Sequence, residues 1–277
     1  MLFHPYIVLE PNKLESRDVV YSVAERCRRE NLQILVPHVA GYEFSKGNPT
    51  INWRKSLREI APFADLVVAG VKCLDLCRDE WESGVPSVTL VDLRASIEFR
   101  QRLRRIASGD ESAIDELLQG PGWKAMEESQ ELWSRYDDHK SSLVALCNCF
   151  RRPEYETVVN ELRRSRGQVV QKITQWLRSD DGVDFVAMGM VFYGANSDAA
   201  RRLAGSLSVA RAFLSYCAAL ALHWIAMSGL DTANAKEVTN DWHDLEYGVM
   251  GALSADLITS DGRLRDVYKA VRDAFEC

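Results

Sequence analysis

The first 46 residues alternate between short apolar runs and stretches with a helical period, and this alternation restricts the fold more than any other feature. Residues 6–9 and 32–36 are apolar runs of strand length, each followed within two residues by a proline. Between them, residues 14–30 repeat apolar side chains with the period of a helix, and residues 38–46 are predicted to start a second one. Strand, helix, strand, helix is the order that builds a parallel sheet covered by helices. The sequence therefore predicts an α/β fold.

The rest of the chain divides into a highly charged middle region and a second series of apolar elements. Between Ala95 and Ser179, charged helix-forming residues dominate and Gly or Pro breaks recur, which predicts an insertion of three or four helices. We therefore predict that residues 1–95 and 185–277 form one sheet-centred domain and that residues 96–184 form a helical cap. Further strands are predicted at 66–70, 87–91 and 256–259, and further helices at 52–62, 72–82, 184–193, 198–228, 241–254 and 263–275.

Composition excludes several classes of protein. With 47% hydrophobic and 27% charged residues, the chain as a whole is neither disordered nor collagen-like nor a coiled coil. A net charge of -6 argues against a protein that coats nucleic acid nonspecifically, but it is compatible with a nuclease whose site is itself acidic. Seven scattered cysteines, and an N-terminus without the pattern of a signal peptide, predict reduced thiols in the cytoplasm.

One uncharged stretch approaches the length of a membrane span. Residues 212–230 contain no Asp, Glu, Lys or Arg over 19 positions. The stretch includes Ser215, His223 and Ser228, and the sequence has no second stretch of this kind. We predict a helix that is buried on nearly all sides within the protein, and no membrane partner.

Four acidic residues are predicted to meet at the carboxyl edge of the sheet. Glu10 and Asp261 each follow a predicted strand, while Glu43 and Asp244 lie near the start of predicted helices at the same edge. Ligands bind at this edge in open α/β sheets. Asp241 shares a helix face with Asp244, three residues later. Carboxylates this close repel one another unless cations join them, so the pattern predicts Mg²⁺ or Mn²⁺.

Three segments carry a resemblance to the PIN-domain nucleases. They are YIVLEPNKL (6–14), ILVPHVAGYEF (34–44) and NDWHDLEYGVMGALSADLITSDGRL (240–264). They resemble that family's first acidic strand end, its Pro-then-Glu helix and its acidic tail. The resemblance implies a three-layer PIN-like α/β fold, a parallel sheet between helices, here with a helical insertion. It also implies a divalent-metal-dependent endonuclease that hydrolyses phosphodiester bonds, most often in single-stranded RNA, and many family members are toxins or RNA-processing factors.

The resemblance also implies roles for individual residues. The catalytic acids that it implies are Glu10, Glu43, Asp244 and Asp261. The same four residues and Asp241 would bind the metal. Asn12 corresponds to a polar helper beside the first acid, and Thr259 or Ser260 corresponds to a hydroxyl near the last acid. Family habit adds a regulatory protein partner, a role in toxin or phage-defence biology, and a homo-oligomer.

Glu10 departs from the family pattern, which usually has Asp at this position. The extra methylene shifts the carboxylate, and catalysis depends on placement at that scale. The second reading is therefore a noncatalytic PIN-like binding or scaffold subunit of a larger complex. A third reading, a metal-dependent phosphohydrolase acting on a nucleotide, would need a closed pocket where a nuclease needs an open groove.

Arginine outnumbers lysine by 25 to 9, and several arginines are clustered. The guanidinium group binds phosphates and stacks on bases, so the clusters of the middle region are expected to guide RNA or single-stranded DNA to the acidic edge. Arg100 and Arg104 are predicted to contact substrate, together with Arg151 and Arg164. The alternative is that the clusters are solvated helix faces paired with nearby acids.

Each acid also has a structural explanation. Asp241 could cap its helix, and Asp261 could serve the turn that starts the last helix. Glu43 could be an exposed helix residue, and Glu10 could belong to a turn with the proline that follows it.

The cysteines offer a competing metal site. Cys73 with Cys77, and Cys147 with Cys149, could together supply four thiolates for zinc. Their spacing is better explained by small buried side chains on helix faces.

Overall fold

A four-stranded parallel sheet forms the centre of the computed structural model, which describes residues 3–40, 49–119, 136–227 and 235–276. The strand order is β3-β2-β1-β4, so the strands from the two ends of the chain are neighbours. The prediction that residues 6–9 and 256–259 belong to one sheet is confirmed. The strands are β1 (His4–Leu9), β2 (Gln33–Val36), β3 (Val67–Ala69) and β4 (Ser254–Ile258).

The register brings the strand ends to one edge. Leu9 of β1 pairs with Ile258 of β4, and Val8 pairs with Leu35 of β2. Ile7, Val8 and Leu9 are all completely buried. Because successive side chains of a strand point to opposite faces, this burial means that helices cover both faces of the sheet. The loops after β1 and β4 therefore emerge side by side.

Helices make up most of the remaining structure. The helices up to the middle region are α1 (Pro11–Leu14), α2 (Arg17–Glu30), α3 (Pro49–Ile60), α4 (Cys73–Ser83), α5 (Leu93–Ala107) and α6 (Ser112–Gln119). Those that follow are α7 (Tyr136–Cys149), α8 (Glu156–Arg164), α9 (Val169–Arg178), α10 (Asp180–Phe192), α11 (Ser197–Ala204), α12 (Val209–Met227), α13 (Ala235–Leu253) and α14 (Gly262–Phe275).

Helix α12 lies at the centre of the helical part. It packs against α4, α7, α8, α9, α10, α11, α13 and α14. By length and composition it is the one helix of the described chain that could cross a membrane, and 89% of its most apolar window is buried inside the protein. The prediction of a helix buried on nearly all sides is confirmed for the described part of residues 212–230.

The middle region holds five described α-helices, α5 to α9, rather than three or four. Helix α7 packs against α12 and α13, and α9 packs against α12 and α14. The helices of this region therefore share a core with the helices that follow it. The helix predicted at 38–46, which carries Glu43, lies outside the described residues from position 41 onward.

The strand predicted at 87–91 is wrong. Of this segment, Val91 alone forms an isolated antiparallel bridge, with Gly70 just beyond the end of β3. The chain then turns directly into α5, where the Asp92 carboxylate accepts a hydrogen bond from the Ala95 N–H at 2.9 Å and caps the helix. The bridge is accompanied by hydrogen bonds from the Val71 N–H to the Leu90 carbonyl and from the Asp92 N–H to the Ala69 carbonyl, and the helix that starts after Asp92 ends the pairing on that side.

The single helix predicted at 198–228 is two helices, α11 and α12, separated at residues 205–208. The break is stabilised by Glu80 of α4, which is completely buried. Its carboxylate accepts hydrogen bonds from the N–H groups of Val209 at 3.1 Å and Ala210 at 2.7 Å, at the start of α12. These N–H groups have no partner within their own helix, so a distant acid supplies one.

Candidate functional site

Glu10 connects the ends of β1 and β4 at the carboxyl edge. Its backbone N–H donates to the Ile258 carbonyl at 3.2 Å. Its Oε2 accepts hydrogen bonds from the Thr259 hydroxyl at 2.5 Å and from the Ser260 N–H at 3.1 Å. The first acid of the predicted site therefore contacts both residues that the resemblance names as hydroxyl partners.

Asp261 caps α14 immediately after this loop. Its Oδ1 accepts a hydrogen bond from the Leu264 N–H at 2.8 Å. Its own N–H donates to the Thr259 hydroxyl oxygen at 3.0 Å. The Thr259 side chain thus joins Glu10 to Asp261 through two hydrogen bonds. The turn role that the sequence offered for Asp261 is present, and it places the residue beside Glu10.

Asp241 has a different environment from the one expected of a helix cap. Helix α13 begins at Ala235, six residues earlier than that interpretation requires, so the cap interpretation is wrong. Asp241 is 7% exposed, and its Oδ2 accepts hydrogen bonds from Trp224 Nε1 and Arg263 Nη1, both at 2.7 Å. Burial raises the pKa of Asp241, and the charge of Arg263 opposes that shift.

The pKa of the buried Tyr216 of α12 is influenced by the charges of three of the acids. Burial raises the pKa of Tyr216 well above its ordinary value, and the charges of Asp244, Asp241 and Asp261 raise it further. A charge acts on a neighbour in this way only over a short distance. The three carboxylates are therefore near enough to Tyr216 to act on it electrostatically. We refer to Glu10, Asp241, Asp244 and Asp261 as the acidic cluster.

Gly248 allows α13 to approach α12 at this point. A Cβ atom at position 248 would lie 2.0 Å from Cε2 of Tyr216, so any residue other than glycine would clash with that ring. Gly248 follows Asp244 by one helical turn. The close approach therefore sets the separation of α12 and α13 one turn after Asp244.

Two predicted site residues fall outside what the structure describes. Glu43 lies within residues 41–48, and the side chain of Asn12 in α1 is not described. The acidic cluster therefore contains four of the five predicted metal ligands.

The arginines predicted to bind substrate occupy contrasting environments. Arg100 is half-buried, and its Nε donates to the carbonyl of Val67 in the edge strand β3 at 2.6 Å. Arg104, Arg151 and Arg164 are exposed. Arg100 therefore supports the sheet, whereas the other three can reach solvent.

Several of the other clustered arginines are paired with acids on the protein surface. The described pairs are Arg29 with Glu30, Arg102 with Glu98, Arg105 with Asp110 and Glu116, and Arg152 with Glu154. These arginines therefore lie on solvated surfaces and are paired with nearby acids, as the alternative to substrate binding expects.

The acidic cluster offers ligands of the kind that a hard divalent cation prefers. Carboxylate oxygens, with the hydroxyl groups of Thr259 and Ser260 beside them, suit Mg²⁺ or Mn²⁺ better than softer metals. Within the described part of the chain, however, no three acidic, histidine or cysteine side chains stand close enough to form a complete metal site. Glu43 lies outside the described residues. The donor chemistry fits the ion, while the described residues do not complete its ligand set.

Glu246 is a site residue that the sequence reasoning missed. Its Oε1 accepts a hydrogen bond from the Val39 N–H at 3.0 Å, after β2, and its Oε2 makes a longer contact of 3.4 Å with the Cys73 N–H, after β3. Burial raises its pKa to about 7. It lines a cavity of about 160 Å³ between α13 and these two loops. Glu246 therefore anchors the loop after β2, the loop that leads toward Glu43.

The two cysteine pairs do not form a zinc site. Cys73 and Cys77 lie on one face of α4, and the Cys147 thiol donates to the Ala221 carbonyl of α12 at 3.6 Å. Burial raises the pKa of Cys147 to about 12. No metal-binding group that includes a cysteine occurs among the described residues.

No protein-family model, no curated protein and no solved structure matches this chain.

Proposed function

We propose that this protein is a divalent-metal-dependent endonuclease with a PIN-like fold, acting on single-stranded RNA in the cytoplasm. The observation that carries the proposal is the link between the two ends of the chain: Thr259 joins Glu10 to Asp261 through two hydrogen bonds. The charges of Asp241, Asp244 and Asp261 also act together on the buried Tyr216. These residues lie at the carboxyl edge of a parallel sheet, where ligands bind in open α/β folds. This arrangement supports a single site built from both ends of the chain.

Each residue of the acidic cluster has a distinct task in this proposal. Glu10, Asp244 and Asp261 would hold the ion, with Glu43 as a further ligand. When bound, such an ion would supply an acidified water molecule and positive charge for hydrolysis of the phosphodiester. Thr259 fixes the Glu10 carboxylate through its hydrogen bond. Arg104, Arg151 and Arg164 are exposed cations that can neutralise phosphates along the strand.

A nuclease assay on purified full-length protein tests the proposal. Single-stranded RNA and single-stranded DNA oligonucleotides are incubated with Mg²⁺, Mn²⁺ or EDTA. We expect cleavage of RNA that requires the divalent ion and is lost in Asp261→Asn. Asp184→Asn, an exposed acid on α10, is the matched control and should cleave like the wild type. RNA that stays intact with either metal would contradict the proposal.

The second candidate is a noncatalytic PIN-like subunit that holds RNA or a regulatory protein within a larger complex. The ion pair between Arg263 and Asp241 favours it, because a cation of the chain already neutralises part of the acidic cluster. Glu10, in place of the usual Asp, favours it as well. A wild-type protein that binds RNA without cleaving it, and with unchanged affinity after Asp261→Asn, would support this candidate.

A further inference from the structure

Helix α10 carries apolar side chains on two opposite faces. On one face, Val186 and Met190 are buried where the helix packs against α9, α11 and α12. On the other face, Met188, Val191 and Phe192 are 56%, 44% and 83% exposed. A helix that is apolar all round is normally buried on all sides. The exposed face of α10 is therefore an apolar surface of the kind that marks an interaction site.

This exposed face borders a groove, which we call the α10 groove. It lies between α10, α11 and the turn Pro153–Tyr155, and it has a volume of about 610 Å³. Met188 and Val191 line it, and the buried Tyr155 and Ala200 lie beneath. Residues three apart on a helix are neighbours on its surface. Met188 and Val191 therefore form a continuous apolar wall along the groove.

The α10 groove also carries an excess of negative charge. Three of its described lining residues are acids, Glu154 and Asp181 among them, and one is a base, Arg201. All four are exposed. Glu154 lies 3.8 Å from Arg152, in an exposed contact that is expected to be weak. A groove of this charge repels the phosphates of RNA and of anionic lipids, and it attracts cationic side chains.

We propose that the α10 groove binds a basic amphipathic helix of a partner protein. The apolar side chains of that helix would pack against Met188 and Val191, and its lysines or arginines would lie beside Glu154 and Asp181. Proteins commonly bind an amphipathic helix in this way, with its apolar face laid into an apolar groove. The groove contains no residue of the acidic cluster, so the proposal stands or falls independently of the proposed nuclease activity.

A synthetic peptide of about five helical turns tests the groove directly. It carries leucine at the i, i+3, i+4 and i+7 spacing, lysine at the other positions and a fluorescent label. The full-length protein is titrated against it, and fluorescence anisotropy gives the dissociation constant. We expect saturable binding of one peptide per chain. A second peptide with glutamate in place of every lysine keeps the apolar face and should bind at least about tenfold more weakly.

The double variant Met188→Ser/Val191→Ser tests the apolar wall. Both side chains are exposed, so the variant should fold, and circular dichroism verifies this. It should raise the dissociation constant of the lysine peptide at least about tenfold. Val88→Ser/Leu93→Ser is the matched control, because it removes two exposed apolar side chains outside the described lining of the groove. The control should bind the peptide like the wild type.

The double variant Glu154→Gln/Asp181→Asn tests the charge of the groove. It should raise the dissociation constant about fivefold at low salt, and the difference should shrink as salt screens the charges. Asp18→Asn/Glu25→Gln removes two exposed acids of α2 and is the matched control. Asp18 and Asp181 both lie in the first turn of their helices, so the two double variants have similar effects on the helices themselves.

Several outcomes would overturn the proposal. Equal dissociation constants in the groove variants and their controls would do so, as would equal binding of the glutamate peptide. A wild-type dimer in sedimentation equilibrium that Met188→Ser/Val191→Ser dissociates would assign the groove to a second copy of the chain instead. Binding to phosphatidylglycerol vesicles that the same variant loses would assign it to a membrane surface.

Discussion

At the scale of single residues, substitutions of Asp261 can separate its helix-capping role from its proposed role in cleavage. Asparagine caps helices about as well as aspartate, so Asp261→Asn keeps the hydrogen bond from the Leu264 N–H that starts α14. Asp261→Asn and Asp244→Asn should each abolish metal-dependent cleavage. Removing one charge from crowded carboxylates relieves repulsion, so the free energy of unfolding without metal should hold or rise. Cleavage assays and urea unfolding of the two variants measure these effects.

Asp261→Ala completes the comparison, because alanine removes both the cap and the charge. We expect it to lower the free energy of unfolding by about 1 kcal/mol relative to Asp261→Asn. Full cleavage activity in Asp261→Asn would contradict a role for this carboxylate in the reaction.

The length of Glu10 is a second property that can be tested at this scale. Its carboxylate reaches across to Thr259 and Ser260 after β4, and an aspartate is one methylene too short to keep both hydrogen bonds. Glu10→Asp should therefore slow cleavage and lower the free energy of unfolding by about 1 kcal/mol. Activity that rises in Glu10→Asp would instead identify a site that has decayed from the family pattern. Initial cleavage rates with Mn²⁺ distinguish the two results.

Sequence reasoning could identify these acids because each of them follows a strand or lies on a helix near the same edge. It could not identify Arg263 or Trp224 as their neighbours. The Arg263–Asp241 contact joins α14 to α13, and the Trp224 contact joins α12 to α13. Contacts between helices depend on how the helices pack, and local periodicity carries no information about that packing.

At the scale of secondary-structure elements, the buried Glu80 controls where α12 begins. Its carboxylate accepts hydrogen bonds from the N–H groups of Ser87, Val209 and Ala210. Glu80→Gln replaces one accepting oxygen with a donor that faces another donor. We expect a loss of about 2 kcal/mol in the free energy of unfolding. Glu82→Gln, on the exposed side of the same helix, should change it by less than about 0.5 kcal/mol. Urea unfolding followed by circular dichroism measures both, and equal effects would contradict the capping role of Glu80.

The strands of the sheet were predicted better than the helices around this contact. The four strands of the sheet follow from apolar runs that end at turn signals, and all four were predicted. The break between α11 and α12 was not predicted, although local signals for it are present. Gly205 ends α11, and the Ser208 hydroxyl oxygen accepts a hydrogen bond from the Arg211 N–H at 3.1 Å at the start of α12. The contribution of Glu80 could not be predicted, because it lies more than 120 positions earlier in the chain.

Two arginines of α5 separate nucleic-acid binding from folding. Arg104 is exposed, whereas Arg100 donates to the Val67 carbonyl of the edge strand β3. Arg104→Glu should weaken RNA binding and reduce the slope of log affinity against log salt by about 1, with unchanged stability. Arg100→Glu should lower the free energy of unfolding, because it removes a partner from a partly buried carbonyl. Filter binding at several salt concentrations and urea unfolding measure the pair. Unchanged RNA binding in Arg104→Glu would assign Arg104 to a solvated helix face.

At the scale of the whole molecule, the two chain ends meet in one sheet while the middle region packs against the helices between them. The meeting of the ends could be predicted, because the acidic motifs need a common edge. The packing of the middle region could not, since its charged texture suggests a separate cap. In the structure, α7, α8 and α9 contact α12, and α9 also contacts α14. Whether this region is a domain of its own is therefore a question of cooperativity.

The last prediction addresses that question through two buried leucines. Leu162 lies in α8 of the middle region and Leu35 lies in β2 of the sheet, and both are completely buried. If the regions share one core, Leu162→Ala and Leu35→Ala should each shift the same single urea transition to a lower midpoint. The free energy of unfolding should fall by about 2–5 kcal/mol in each variant. Fluorescence and circular dichroism should report coincident transitions in each variant. An early separate transition in Leu162→Ala, with the sheet still folded, would show that residues 96–184 unfold as an independent cap. Coincident transitions would mean that the acidic cluster and the middle region form and unfold together. Helix α12 connects them, because its Tyr216 lies near the acids and its surface packs against the helices of the middle region.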